Sequence, residues 1–180
     1  MPHHALLMVT GASGAGKTTI VRALEARRLV GVRCCYFDAV GVPSPEEMVA
    51  AYGSGEAWQA AVTKRWIDSL AASTPPGDVS VLEGQMRPSV IRQLLATVPQ
   101  VSLVEILLVD CSHTVREARL RNERGQPELG SLDMAVWAGY LRGQGDALAL
   151  PRLDTSEISA AAAVDLLQAR VLKLRSLAAA

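Results

Sequence analysis

One stretch near the start of the chain, Gly11-Ala12-Ser13-Gly14-Ala15-Gly16-Lys17-Thr18, constrains its fold more than any other. It matches G-x-x-x-x-G-K-[ST] and lies between an apolar run and a helical pattern. Ala5-Leu6-Leu7-Met8-Val9 before it reads as a buried strand, and Ile20, Val21, Leu24 and the aliphatic stem of Arg28 recur after it at helical spacing. A strand that turns into a helix over such a loop aims backbone N–H groups at a common point, next to the positive end of the helix dipole. Gly11, Gly14 and Gly16 let the main chain come close to a phosphate. Lys17 is expected to reach the β- and γ-phosphates and the Thr18 hydroxyl to meet Mg²⁺, with Thr19 extending the binding stretch. The expected ligand is therefore a nucleoside triphosphate.

Four further short runs follow, Val32 to Phe37, Val79 to Leu82, Val101 to Val109 and Arg152-Leu153-Asp154, and they alternate with helical patterns. Strands separated by helices predict a parallel sheet covered on both faces, because parallel neighbours need crossover connections. The expected architecture is an α/β three-layer sandwich with a five-stranded parallel sheet, formed by residues 1–180 as a single domain. Ligands of such sheets sit at the carboxyl ends of the strands, which singles out Thr10, Asp38, Glu83 and Asp110.

With 49% hydrophobic and only 4% aromatic residues, the core is expected to be aliphatic. Eighteen Lys and Arg balance eighteen Asp and Glu, so charge gives no reason to expect a nucleic-acid or membrane partner. Cys34, Cys35 and Cys111 have neither zinc-site nor disulfide-framework spacing, and His3, His4 and His113 form no ligand cluster. No leader pattern or apolar run of membrane-spanning length is present, which predicts a soluble, cytoplasmic protein acting as a monomer or homodimer.

Between the second and third runs lies a helical insertion, residues 41–77, placed on the substrate side. Ser44 is its expected cap, with Pro45 at the first helical position. Trp58, Ala61/Val62, Arg65/Trp66 and Ser69/Leu70 then form a stripe on a longer helix stopped by Pro75-Pro76-Gly77, and the tryptophans read as core. Arg116, Arg119, Arg121 and Arg124 precede Gly125, Pro127 and Gly130, a pattern that predicts a charged, mobile cover over residues 119–136. Ser156 to Leu177 reads as a last amphipathic helix, followed by frayed alanines.

Phosphoryl transfer needs alignment, charge neutralisation and a group that positions or deprotonates the attacking hydroxyl. Lys17 and the loop amides serve the phosphates. Asp38 and Glu83, each closing an apolar run, compete for two roles, the base facing an acceptor and the carboxylate of the metal side. Arg119 and Arg124 are the better candidates to neutralise the transferred group, and Arg87 to hold an anionic or hydroxylated acceptor. Lys64 and Arg65 read as solvated charges on a long helix.

On these residues the chain resembles the small P-loop kinases, that is, the nucleoside-monophosphate, shikimate and gluconate kinase group with its zeta-toxin-like and antibiotic phosphotransferase relatives. The resemblance runs through Gly11–Thr18, Phe37-Asp38, Leu82-Glu83-Gly84-Gln85-Met86-Arg87, the run from Val104 to Val109, and Arg119, Arg121 and Arg124. Glu83 stands where adenylate kinases have aspartate. Tyr140-Leu141-Arg142-Gly143-Gln144 with Asp154-Thr155-Ser156 is similar to the end of gluconate-kinase-like chains. It implies an ATP- and Mg²⁺-dependent kinase acting on a small-molecule acceptor, with Thr155 and Ser156 near the adenine. No Asn-Lys-x-Asp guanine signature is present. A nucleotide-binding switch or regulatory ATPase without an acceptor is the rival reading. Under either reading, Lys17→Ala should weaken Mg·ATP binding by about 10-fold or more, the scale of a lost charged hydrogen bond, as measured by calorimetric titration.

Overall fold

The computed structural model describes residues 4–98, 101–123, 125 and 131–180. Strand β1 (His4–Thr10) is buried from Ala5 onward and forms the centre of a five-stranded sheet in the order β2-β3-β1-β4-β5. The others are β2 (Val32–Tyr36), β3 (Val79–Gly84), β4 (Val101–Asp110) and β5 (Arg152–Asp154), and every pairing is parallel. Thr10 lies opposite Gly84 on one side and Leu108 on the other, so β4 continues past the end of β1 to Asp110, itself opposite Asp154. Tyr36, Gly84, Thr10, Asp110 and Asp154 thus mark one edge of the sheet, where α/β proteins of this kind bind ligands.

The period of two along β1 sorts the two cores. Ala5, Leu7 and Val9 face a layer made by α1 (Lys17–Ala26), through Ile20, Val21 and Leu24, and by α7 (Ala160–Ala179), through Val164, Leu167, Val171 and Leu174. Leu6 and Met8 point the other way, toward α3 (Gly55–Ser73) and α4 (Pro88–Leu95), whose Trp58, Val62, Ile67, Leu70 and Ile91 close the second layer. Trp58 is the expected core tryptophan, meeting Phe37 edge-on with ring centroids 5.9 Å apart. The other tryptophan-bearing helix, α6 (Leu132–Ala147), sets Ala138 and Leu141 on Ala12 and Leu108 near that end of the sheet.

The insertion forms two helices. Ser44 caps α2 (Pro45–Tyr52) in a reciprocal capping box with Glu47, which satisfies two amide donors that the first turn leaves free. Three boundaries differ from the sequence pattern. The second apolar run leaves the sheet at Tyr36, and Phe37–Val40 coil into a 3₁₀ turn. The last helix starts at Ala160 rather than Ser156, because the Asp154 carboxylate takes both the amide and the hydroxyl of Ser156 and the capping role passes to Ser159. The terminal alanines are not frayed: α7 runs to Ala179, with Ala178 fully buried. Among the described residues no helix is long and apolar enough to cross a membrane.

Neighbouring leucines on α7 test this packing, since Leu167 is 0% exposed and Leu166 50%. Leu167→Ala should lower unfolding free energy by about 2–5 kcal/mol, whereas Leu166→Ala should change it by less than roughly 0.5 kcal/mol, both read from urea denaturation.

Candidate active site

The loop between β1 and α1 is pressed against the neighbouring strand. Gly11 has φ +154°, and a Cβ there would lie 2.1 Å from the Val109 carbonyl oxygen, so no larger residue fits without moving β4. Gly14 (φ +78°) rests on the side of α5 (His113–Ala118), where a Cβ would approach Arg116 Cγ to 2.8 Å. Held this way, the loop delivers Lys17 and Thr18 at the start of α1. Lys17, 6% exposed, donates from Nζ to the Ala12 carbonyl at 3.1 Å and lies 3.8 Å from Glu83 Oε1. Thr18 Oγ1 donates to the same Glu83 oxygen at 3.1 Å. A buried carboxylate is tolerable when it is paired, and Glu83 meets both a cation and a hydroxyl.

The structure therefore separates the two carboxylates that the sequence left competing. Glu83, at the end of β3, joins Lys17 and Thr18. Asp38 lies exposed on the 3₁₀ turn beyond β2, and among the described residues its carboxylate makes no hydrogen bond. The turn itself is held by Trp66 Nε1, which donates to the Phe37 carbonyl at 3.2 Å.

A polar wall stands on the α3 and α6 side of the loop. Gln85 Nε2 donates to Ser13 Oγ at 3.0 Å, and Gln85 Oε1 accepts from Trp137 Nε1 at 2.9 Å. Gln59 donates to the Gln85 carbonyl and accepts from Arg87 Nη1, each at 2.5 Å. The Arg87 guanidinium lies 4.9 Å from the centre of the Trp137 ring, with Glu56 3.5 Å from its Nε. Trp137 in turn stacks on Tyr140 at 5.4 Å. Gln59, Gln85 and Trp137 were not singled out from the sequence. The signal for the last was present in Trp137, Tyr140, Leu141 and Gln144, a helical i, i+3, i+4, i+7 set in which aromatic and amide residues share a face.

On the opposite side of the loop, Arg119 opens a π-helical turn (Arg119–Glu123) that continues α5. It donates to Thr155 Oγ1 at 2.9 Å, to the Thr155 carbonyl at 2.8 Å and to the Gly14 carbonyl at 3.4 Å. Thr155 Oγ1 itself donates to the Ala15 carbonyl at 2.8 Å. Arg119 and Thr155 border a cavity of about 200 Å³ that also includes Gly16, Thr19, Ile20, Ile158 and Ala163. Ser156 lies outside it, in an adjoining hollow of about 600 Å³, donating to Asp154 and accepting from the Ser112 amide. The Ser156 hydroxyl and amide hold the Asp154 carboxyl below its ordinary range.

Arg116, grouped with Arg119, Arg121 and Arg124 in the charged pattern, does not reach the cleft as a mobile charge. It is a buried anchor, 3% exposed, donating from Nη2 to Asp110 Oδ1 at 2.9 Å and to the Cys111 carbonyl at 3.0 Å. Helical charge patterns cannot reveal this, because the strand-end carboxylate that receives it belongs to another element. The second oxygen of Asp110 accepts from Arg142 Nε of α6 at 2.7 Å. Arg121 is exposed, 3.6 Å from Glu117. Arg124 and residues 126–130 of the expected cover lie outside the described residues. Lys64 pairs with Asp68 on the surface, in keeping with a solvated face, and Arg65 borders a separate 250 Å³ hollow with Val40 and Trp66. Burial pushes the Cys111 thiol up, which makes it a poor nucleophile.

No protein-family model and no curated protein sequence matches the chain. Solved structures do. The shikimate kinase from Acinetobacter baumannii in complex with shikimate is 16% identical, with a TM-score of 0.61 over 96% of this chain and 94% of that one. The deoxyadenosine kinase from M. mycoides with bound dATP is 10% identical, with a TM-score of 0.60 over 93% and 98%. A gluconokinase from Sinorhizobium meliloti 1021 is 18% identical, with a TM-score of 0.56 over 97% and 94%. At these identities the likeness establishes the fold, that of the small P-loop kinases.

Thr155 connects Arg119 to the loop by hydroxyl bonds that valine cannot make. Thr155→Val should weaken Mg·ADP binding by about 3- to 10-fold, the scale of one or two lost hydrogen bonds, in a calorimetric titration.

Proposed function

We propose that this protein is a kinase that transfers the γ-phosphoryl group of ATP, with Mg²⁺, to a hydroxyl or phosphate group on a small molecule. The observation that carries the reading is the meeting of the buried Lys17 and Glu83 with the half-buried Thr18 beside Ser13, from which the Gln59–Gln85–Arg87–Trp137 wall rises. Phosphates would occupy the loop amides and Lys17 Nζ. The Thr18 hydroxyl and the Glu83 carboxylate are hard oxygen donors 3.1 Å apart, a set that fits Mg²⁺, which takes few protein ligands and keeps the rest of its shell for phosphate and water. When bound, the ion would neutralise charge on the β- and γ-oxygens.

The remaining roles fall to this chain's own groups. The Arg119–Thr155 clasp borders the cavity beside the loop and supports a site for the nucleotide base there. Arg119 and Arg124 are the proposed partners of the transferred group. Asp38, with no protein partner among the described residues and set beyond the end of β2, is the proposed acceptor of the attacking hydroxyl's proton. Across the cleft, Arg87 and the amides of the wall would orient the acceptor, with the insertion and the cover excluding water. Solved kinases of like fold, one holding shikimate and one holding dATP, support a hydroxyl-bearing small molecule and a nucleotide as ligands.

The decisive measurement is ADP formation from Mg·ATP across sugar acids, nucleosides, nucleotides, aminoglycosides and oligonucleotide 5′ ends. One acceptor class should stimulate turnover. Lys17→Ala should abolish that stimulation, and Asp38→Asn should lower kcat by about 10²–10⁴-fold, the usual contribution of a general base. Tight nucleotide binding with no stimulation by any acceptor would move the reading to a nucleotide switch.

A further inference from the structure

We propose that Asp110 is a positioning residue that couples the nucleotide side of the cleft to its acceptor side, an inference that rests on the nucleotide reading above. Its two carboxylate oxygens divide their partners between the two helices that flank the cover. Oδ1 takes Arg116 of α5 and Oδ2 takes Arg142 of α6, at 2.9 and 2.7 Å. Its backbone carbonyl holds a third element, accepting the Thr155 amide at 2.9 Å.

Each of these partners leads directly to a functional group. Arg116 supports Gly14 of the phosphate loop and precedes Arg119, whose guanidinium clasps Thr155 beside the base cavity. Arg142 sits on the same helix as Trp137, the platform under Arg87 and the hydrogen-bond donor to Gln85. Charge balance alone would need a single arginine at Asp110. The second arginine comes from the other wall of the cleft, and the Asp110 side chain is only 9% exposed, so solvent and salt screen the three-way bridge weakly. Among the described residues the buried Arg116 Nε has no hydrogen-bond partner, and the guanidinium is held at Nη2 by the Asp110 carboxylate and the Cys111 carbonyl. A nucleotide that reseats Arg119 therefore acts on α5, and through the shared carboxylate on α6 and Trp137.

Arg142 is half exposed and lies outside the binding machinery, so Arg142→Gln releases one arm without uncovering a buried charge. The test uses protein labelled with 5-fluorotryptophan, whose fluorine spectrum reports the three tryptophans separately. The Trp137 line is assigned with Trp137→Phe, and Mg·ADP is the probe. In the wild type, saturating Mg·ADP is expected to shift the Trp137 line. In Arg142→Gln, Mg·ADP should bind within about 2-fold of wild type, as expected for a site away from the ligand, while the shift falls to roughly a third or less. Arg142→Lys, which keeps the charge, should restore part of the shift. An unmoved Trp137 line in the wild type with Mg·ADP bound, or a full shift in Arg142→Gln, overturns the coupling alone. Absence of Mg·ADP binding to the wild type overturns the nucleotide reading as well, so the two failures are distinguishable.

Discussion

The contact on which the rest of the site depends is steric: the passage of the chain from β1 into α1 against the backbone of β4. With the Val109 carbonyl in the space that a Cβ at Gly11 would occupy, the loop has no freedom to drift from the sheet. The loop therefore projects from a fixed base, and its amides, Lys17 and Thr18 inherit the position of the central strand. The same strand is buried on both faces by two separate apolar layers, which makes it a firm base to build on. Precision at the proposed phosphate site is thus a property of the core rather than of the loop alone.

Around that base the buried charges are arranged in compensated groups. Lys17 and Glu83 face each other below the loop, and Asp110 holds Arg116 and Arg142 beside it. Isolated charges at such depth would be strongly penalised, and the two buried pairs, Lys17 with Glu83 and Arg116 with Asp110, are each held to one geometry because removing one partner would strand the other. Exposed pairs such as Lys64 with Asp68 and Arg121 with Glu117 lie where water competes, and they contribute little by comparison. The two buried groups sit on either side of the phosphate loop, and both end in residues that reach into the cleft.

The cleft is asymmetric in its chemistry. On the Thr155 side the loop is bordered by small residues and a single guanidinium clasp. On the Trp137 side it is bordered by amides, an arginine and stacked aromatic rings. In a protein whose chain is only 4% aromatic, the stacking of Trp137 on Tyr140 beside Arg87 concentrates a scarce residue type at one wall of the site. Amide side chains that donate and accept in sequence, as Gln59 and Gln85 do, give that wall a fixed polarity at each point.

Local chemistry was enough for part of this. A glycine pattern followed by Lys17 and Thr18 has one economical use, and the alternation of apolar runs with helical periods has one right-handed solution, so the phosphate loop, the parallel sheet and the strand-end positions of Glu83 and Asp110 were legible in the chain alone. Ser44 and Pro45 likewise announced α2, because a cap acts within a single turn. What the tertiary structure alone decided were the relations between elements distant in sequence. It placed Glu83 rather than Asp38 against Thr18, made Arg116 a buried anchor on Asp110, moved the start of α7 to Ala160, and brought Gln59, Gln85 and Trp137 into one wall. The reason is physical: spacing along a helix or strand fixes which residues share a face, while the partner that face meets depends on strand order and register, which no single element encodes.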